Sequence, residues 1–323
     1  MIRIPKVSKD VEKRFLEEVF DAYKQVLDEH LKSAKADDKI KKFFAPHDVL
    51  VKDRIKSVLV GKKAKLLEAI KAIGVIKKKR RKASEVKAGE NTETISDKFT
   101  SIYDSFIKTE LGKTLSQKLN VDVCPYCNRS YTYTVVSKNV RPQYDHFFCK
   151  SKYPYLAVSL YNLIPSCAVC NQAKGAKDVY DEQKQDVKIL YPHEQDFGYD
   201  VHFATSCSGD ITYLLGATKE FNLKIDSSSA PSKKRNQVET ANQFFSLEDL
   251  YNLHKEHVQR TIKLAYMYDS KYVEYLLTTF PNLFRSKEEL EDAIFQTPLR
   301  REDWGKQVLA KLDYDMIMEF RRV

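Results

Sequence analysis

The sequence predicts an α+β protein in which short strands lie between two mainly helical regions. Apolar residues recur at helical spacing over residues 8–44 and again over residues 236–278. The part between them is rich in Tyr, Thr and Val, which favour strands. It also carries two Cys-x-x-Cys pairs, which are typical of a small domain held by a metal ion. We therefore expect three regions, spanning 1–118, 119–230 and 231–323.

The N-terminal region is predicted to contain several amphipathic helices. In the first of them, Val11, Phe15 and Val19 fall on one face, and Ser8 is a suitable N-cap. Similar periodicity predicts further helices over 48–73 and 96–119. A polar stretch over about 81–98 is predicted to be a loop.

Charge is distributed unevenly along the chain. Residues 1–118 contain 29 Lys and Arg against 18 Asp and Glu, whereas the rest is nearly neutral. A basic region beside a neutral one indicates a polyanionic partner, most often nucleic acid. The densest basic run, "KKKRRK" at 77–82, either contacts phosphates through residues such as Lys79, Arg80 and Arg81 or forms a solvated face.

The central and C-terminal regions alternate between strand and helix signals. Residues 121–148 predict a strand pair beginning at the first cysteine pair, and residues 155–166 predict a short apolar segment ending in a Pro-Ser turn. A helix is expected from the second cysteine pair. Two strand-like runs, "YDVHFATS" and "DITYLLG", and a linker, "DSSSAPSKKRN", follow. Beyond them the helical stretches are 236–278, 286–296 and 302–320.

Four of the six cysteines are predicted to bind one structural zinc ion. They form two pairs 40 residues apart, and in a reducing compartment such pairs favour a tetrathiolate zinc site over disulfides. Four thiolates leave no open coordination position for catalysis. The alternative is two unrelated pairs of buried thiols, and Cys149 and Cys207 are expected to be ordinary buried residues. The predicted zinc ligands are Cys124, Cys127, Cys167 and Cys170.

The segment 124–177 resembles the HNH endonuclease superfamily, also called ββα-metal or His-Me finger nucleases. The resemblance rests on "CPYC", "DHFFCKSKYPYLAVSLYNLIP" and "CAVCNQAKG", taken in that order. It is closest to the subgroup whose finger is held by two Cys-x-x-Cys pairs. The resemblance implies a central ββα-metal finger flanked by helical regions, and a nuclease activity that depends on Mg²⁺ or Mn²⁺.

The resemblance also implies a role for four residues. His146 would be the general base, because a neutral imidazole can accept a proton from water near pH 7. Asp145, whose side chain would point the other way, and Asn171 would bring oxygen ligands to the catalytic Mg²⁺ or Mn²⁺. Asn162 would hydrogen-bond the backbone of the loop that fixes His146. Lys174 would either contact a phosphate or be solvated.

Three interpretations of function follow. The first is a metal-dependent HNH endonuclease that hydrolyses phosphodiester bonds in nucleic acid, with DNA favoured over RNA. The second is a zinc-stabilised nucleic-acid-binding module that does not cleave. The third is a nuclease subunit that is active only with a partner ATPase, as in some bacterial antiphage defence pairs, since the chain has no phosphate-binding loop of its own.

Other sequence features bear on location and on further ligands. No apolar run is long enough to cross a membrane, and the N-terminal segment lacks the apolar stretch of a signal peptide, so we expect a cytoplasmic protein. His193 is expected to be structural or at the surface and not an additional ligand. Cys149 stands three residues after His146, where the family commonly has Pro.

Overall fold

The computed structural model describes residues 1–32, 34–76, 94–138, 140–206 and 211–321. The predicted α+β class is confirmed, because helices dominate both ends and short antiparallel strands lie between them. The α-helices in the described ranges are α1 (Lys9–Leu31), α2 (Lys39–Phe44), α3 (Lys52–Leu59), α4 (Lys63–Ile73), α5 (Ile95–Phe106), α6 (Glu110–Lys118), α7 (Ala168–Lys174), α8 (Ser232–Phe245), α9 (Leu247–Asn252), α10 (Lys255–Met267), α11 (Ser270–Thr279), α12 (Lys287–Phe295) and α13 (Ala310–Phe320).

The strands pair as two-stranded antiparallel ribbons. Within the described part of the chain they are β1 (Gln143–His146) with β2 (Leu163–Ser166), β3 (Tyr180–Asp181) with β4 (Asp186–Val187), and β5 (His202–Ser206) with β6 (Asn222–Asp226).

Three local predictions in the central region are wrong. The segment 121–142 forms only two single-residue bridges, Val123 with Tyr131 and Val135 with Val140, and the strand at 143–146 pairs instead with 163–166. The expected Pro-Ser turn is therefore strand β2. "DITYLLG" contains a 3₁₀ helix, Ile211–Leu215. Period-two apolar patterns do not specify which distant segment a strand will meet, and so the strands were predicted without their partners.

The chain folds as two compact units, each built from separated segments. One unit comprises Met1–Ile4, Val121–Thr132 and Lys188–Val323, and the other comprises Pro5–Asn120 and Tyr133–Val187. The regions 1–118, 119–230 and 231–323, which were drawn from composition along the continuous chain, stay a prediction.

In the second unit, helix α1 supplies the central face of the helical core. Ser8 is its N-cap, as predicted, and its side chain accepts a hydrogen bond from the Val11 backbone N–H at 3.3 Å. The buried positions recur every four residues and pack against α3 and α5. The Tyr23 hydroxyl donates to the Tyr155 carbonyl at 2.9 Å. This bond ties α1 to the loop between β1 and β2, which carries candidate site residues.

The basic run at 77–82 lies outside the described residues. None of the described helices is both long and apolar enough to span a bilayer.

Candidate functional site

The candidate site is built on β1, β2 and α7, which follow one another as strand, strand and helix. In the ladder, Asp145 faces Ile164 and His146 faces Leu163. Helix α7 begins two residues after β2, and it packs against β1. Its N-cap is Cys167, whose sulfur accepts from the Cys170 backbone N–H at 3.5 Å. The second cysteine pair therefore also starts the helix that carries Asn171.

A cavity of about 480 Å³ opens beside this substructure. Asp145, His146 and Asn171 all line it, although Asp145 and His146 are neighbours on β1 and their side chains were expected to point in opposite directions. His146 is the last residue of β1, where the regular alternation of side chains ends. Asn162 is fully buried and is not among the residues that line the cavity.

His146 is held as a neutral imidazole with one nitrogen committed. Its Nε2 lies 2.8 Å from the Ala157 carbonyl oxygen. Because a carbonyl can only accept, Nε2 must carry the proton, and Nδ1 is left as the atom that can accept one. Burial, with a smaller contribution from the positive charges of Lys150 and Lys174, lowers the pKa of His146 to about 3. The ring is therefore uncharged at neutral pH.

The ring of His146 also has an aromatic neighbour from a distant helix. Tyr103 on α5 contacts it edge to face, with ring centroids 4.5 Å apart. This contact restricts rotation of the imidazole, so its orientation is fixed both by a hydrogen bond and by packing.

Asn162 fastens the loop that presents the Ala157 carbonyl. Its Oδ1 accepts from the Phe148 N–H at 2.7 Å, and its Nδ2 donates to the carbonyls of Phe148 and Leu156 at 3.1 and 2.9 Å. Leu156 directly precedes Ala157, which binds His146. The side chain of Asn162 thus acts on His146 through the backbone and does not touch it.

Asp145 is ion-paired with a fully buried lysine. Lys174 Nζ lies 3.0 Å from Asp145 Oδ1, and it donates to the His146 carbonyl at 2.6 Å. The Lys174 side chain has no exposed surface, and that of Asp145 is 4% exposed. Neither sequence interpretation of Lys174 is correct, because it is not solvated and is not placed to contact a phosphate. Lys174 lies three residues after Asn171 on α7, and its side chain extends to Asp145 and His146 of β1.

Asn171 is partly exposed and lines the cavity. Its Nδ2 donates to the Gln143 side-chain oxygen at 2.7 Å. That bond uses the amide nitrogen, so the amide oxygen is the atom that would face a cation.

Two cations also line the cavity, and sequence reasoning did not single them out. The Arg141 guanidinium carbon lies 5.4 Å from the centre of the Tyr144 ring, and Lys150 Nζ lies 4.9 Å from the centre of the Tyr103 ring. Stacking on aromatic faces limits the motion of these long side chains. No local sequence signal distinguishes them from the chain's many other basic residues.

The four paired cysteines come together as predicted. One sulfur from each of Cys124, Cys127, Cys167 and Cys170 lies within 4.8 Å of all the others. A tetrahedral zinc site with bonds of about 2.3 Å has sulfur–sulfur distances of about 3.8 Å, so the cluster is compatible with structural zinc. Among the described residues, no other group of three or more His, Cys, Asp or Glu meets the same distance, and His193 is in none.

The turn after the first cysteine pair is anchored within its own unit. Asn128 adopts a left-handed conformation with φ of 51°, which Asn tolerates better than most residues. Its side chain is buried, donates to the carbonyls of Trp304 and Gln307, and accepts from the Lys311 N–H. The Tyr251 hydroxyl donates to the Cys127 carbonyl at 2.5 Å. Residues far along the chain therefore fix the backbone of this pair.

Cys149 is buried, as expected, and it lines the cavity with its sulfur 3.0 Å from the Ser151 hydroxyl. Its carbonyl accepts from the backbone N–H groups of Lys152 and Tyr153, which forms a turn without the family's proline. Cys207 lies outside the described residues.

Replacing Lys174 with Met is expected to destabilise the second unit strongly. The change keeps much of the side-chain length and leaves the Asp145 carboxylate buried without its partner, a loss of about 3–5 kcal/mol for comparable pairs. Thermal unfolding of Lys174→Met should show a much lower melting temperature. Lys177→Met, three residues further and exposed, is the matched control. Equal melting temperatures for the two variants would contradict this account.

Comparison with family models, with curated proteins and with solved structures gives no match to this chain. The HNH resemblance accordingly stays a prediction from the order of the motifs. The site is described by its own geometry: an oriented neutral histidine, a buried carboxylate, an amide oxygen and two cations around one cavity.

Proposed function

We propose that the protein is a metal-dependent endonuclease of the HNH type, which hydrolyses phosphodiester bonds in nucleic acid. The observation that carries the proposal is one cavity lined by His146, Asp145 and Asn171, beside a strand–strand–helix substructure and a four-cysteine cluster. Hydrolysis of a phosphodiester needs a base for the attacking water and positive charge near the developing negative charge. The residues of the cavity fit both needs.

His146 would activate the water through Nδ1. Its other nitrogen is bound to Ala157, and the ring is uncharged at neutral pH, so Nδ1 has a lone pair for the proton of water. Its pKa of about 3 lies well below the value near the working pH that best suits a general base, so the protonated ring would lose its proton readily. The proton would stay on the imidazole until it passes to solvent. Asn162 supports this step from below by holding the segment that contains Leu156 and Ala157.

Asp145 and Asn171 would hold the catalytic cation. Carboxylate and amide oxygens are hard donors that suit Mg²⁺ or Mn²⁺, and both residues line the cavity. Lys174 contacts Asp145 but does not line the cavity, so the Lys174 ammonium and the divalent ion would contact different sides of the Asp145 carboxylate. A bound divalent ion would supply positive charge next to the scissile phosphate.

Arg141 and Lys150 support a phosphate-bearing substrate. Both line the cavity, and both are only partly buried. Among the described contacts, neither side chain forms an ion pair with a carboxylate, so their positive charges face the cavity. Binding directed at phosphates would weaken as salt rises. The basic composition of residues 1–118 favours the same partner.

The test is a cleavage assay with purified protein on plasmid, linear duplex, single-stranded DNA and RNA. We expect cleavage of at least one substrate with Mg²⁺ or Mn²⁺ and none with EDTA, and DNA is the favoured substrate. Binding without cleavage under every metal condition would favour the nucleic-acid-binding module. Cleavage that appears only after a partner ATPase is added would favour the nuclease subunit of a defence pair.

A further inference from the structure

Two tyrosines, Tyr103 and Tyr144, line the cavity of the second unit, and their hydroxyl groups differ in what they bind. The Tyr144 hydroxyl accepts from the Ser116 backbone N–H and donates to the Gly112 carbonyl, each at 3.1 Å. The Tyr103 hydroxyl has no hydrogen-bond partner among the described residues, and it is not one of the buried polar atoms that are closed to solvent. It is therefore a donor that remains available to a ligand.

The position of Tyr103 is fixed by the packing of α5. This helix starts at a capping box formed by Thr94 and Asp97, and it packs against α1 and against the 3₁₀ turn Pro154–Leu156. Tyr103 is 7% exposed, and its ring contacts the His146 ring. The small exposed part of this side chain therefore includes the hydroxyl group.

The Tyr103 hydroxyl is protonated at neutral pH and lies on the cavity side of its ring. Burial raises the pKa of Tyr103 to about 12, so the group is an O–H donor. The charges that act on this hydroxyl include those of Arg141 and Asp145, and both residues line the cavity.

The charges that line the cavity favour an anion. The lining cations are Arg141 and Lys150, and neither forms an ion pair with a carboxylate in the contacts that the structure describes. The lining carboxylate is Asp145, and Lys174 pairs with it at 3.0 Å. Asp104 on α5 is exposed and is not among the lining residues. Two positive charges therefore face the cavity without a carboxylate to neutralise them.

Aromatic rings hold both cations in place. Lys150 Nζ lies 4.9 Å from the centre of the Tyr103 ring, and the Arg141 guanidinium lies 5.4 Å from the centre of the Tyr144 ring. One Arg141 N–H donates to the Pro142 carbonyl at 3.2 Å, which leaves four of its five donors. A phosphate group combines negative charge with several acceptor oxygens, so it suits an O–H donor beside two cations.

We infer that the Tyr103 hydroxyl, Lys150 and Arg141 form a subsite for one phosphate of a nucleic-acid backbone, in which the hydroxyl donates to a non-bridging oxygen. The assignment to a backbone phosphate rests on the proposed nuclease function, whereas the binding of a small phosphodiester by these donors does not. His146 contacts the ring that carries the hydroxyl, so the phosphate is held beside the proposed general base. Helix α5, which lies outside the HNH-like segment 124–177, thus contributes a substrate contact.

Thymidylyl-thymidine, a dinucleoside with one phosphodiester, is the probe, because a single phosphate can bind in only one register. Its binding is measured by calorimetry in EDTA, where neither cleavage nor a divalent ion contributes. Tyr103→Phe keeps the ring that packs on His146 and removes the hydroxyl. It should keep the parent's melting temperature and bind the probe about tenfold more weakly, as expected for a lost hydrogen bond to a charged group.

Tyr180→Phe is the matched control. Tyr180 lies in the same unit, is also 7% exposed, and has a hydroxyl with no hydrogen-bond partner in the described part of the chain. It does not line the cavity, so its variant should bind the probe like the parent. Lys150→Met should weaken binding and reduce its salt dependence, because it removes one of the two lining cations.

Stereopure phosphorothioates of the probe separate a direct contact from a structural role. Sulfur accepts hydrogen bonds weakly, so one diastereomer should bind the parent several-fold more weakly than the other. That difference should shrink in Tyr103→Phe, whereas a hydroxyl that acted only on the fold would leave it unchanged. Mn²⁺ affinity without the probe should equal the parent's, because the variant keeps the oxygens of Asp145 and Asn171.

The outcomes separate this inference from the proposed function. The inference is overturned if the parent shows no saturable binding of the probe, if Tyr103→Phe binds it like the parent, or if the variant loses Mn²⁺ affinity. Cleavage of nucleic acid by Tyr103→Phe at the parent's kcat/KM would also overturn it and would retain the nuclease. Probe binding that depends on Tyr103, in a protein that cleaves no nucleic acid with any metal, would retain the subsite and refute the nuclease alone.

Discussion

His146→Ala is expected to bind nucleic acid like the parent and to cleave it about 10²–10⁴-fold more slowly, which is the usual effect of losing a general base. The variant removes the acceptor Nδ1 and leaves the oxygen donors of Asp145 and Asn171 in place. Because the imidazole is 8% exposed and packs on Tyr103, His146→Asn serves as a second variant that fills more of the space. Cleavage time courses are measured beside binding titrations.

The controls separate the roles within the site. His47→Ala removes an exposed histidine from the same unit and should leave cleavage unchanged. Asp145→Ala and Asn171→Ala should lower activity by weakening the catalytic cation, and excess Mn²⁺ should restore the Asn171 variant more readily because it loses a neutral ligand. Asn162→Ala should show an intermediate loss. Cleavage by His146→Ala at the parent's rate would refute the assigned base.

The second large effect is expected at the four-cysteine cluster. Protein purified without added zinc should contain about one equivalent by elemental analysis, and Cys124→Ser should have a much lower melting temperature. Structural zinc sites bind with apparent free energies of about 10–16 kcal/mol, and much of that energy stabilises the fold. The four sulfur atoms lie within 4.8 Å of one another, so losing one leaves an incomplete site.

Cys149→Ser is the matched control for this prediction. Cys149 is buried like Cys124 but does not belong to the cluster, so its replacement should change the melting temperature little and leave the zinc content at one equivalent. A metal-free protein with the parent's melting temperature would exclude a structural zinc ion. The cluster would then be two pairs of buried thiols.

The presence of helices could be predicted well from the sequence, because their signals are local. Their ends could be predicted less well: the stretches 8–44 and 236–278 each divide into more than one helix, and α8 begins at Ser232, inside the expected linker. The capping hydrogen bond at Ser8 and the buried faces of α1 follow from residue spacing alone. The strands could be predicted less well. The Pro-Ser pair in β2 locally predicts a turn, and the segment is a strand only because it pairs with β1.

By itself, the sequence determined which side chains are available to the site: the paired cysteines, the adjacent Asp145 and His146, and Asn162 and Asn171 after them in the chain. These features are readable because metal ligation and proton transfer demand particular side chains at nearly fixed spacing. Only the tertiary structure decided how those groups are supported. Tyr103 reaches His146 from α5, and Lys174 passes under β1 to pair with Asp145.

The same distinction holds in the first unit, where a cavity of about 450 Å³ lies between β5 and α13. Tyr199 and Glu319 are 120 positions apart, and nothing in their local sequence connects them. They line one cavity because α13 packs on β5 and places its carboxylates against the backbone of that strand. Contacts of this kind depend on the packing of whole elements, whereas composition and periodicity report only the faces that each element can bury.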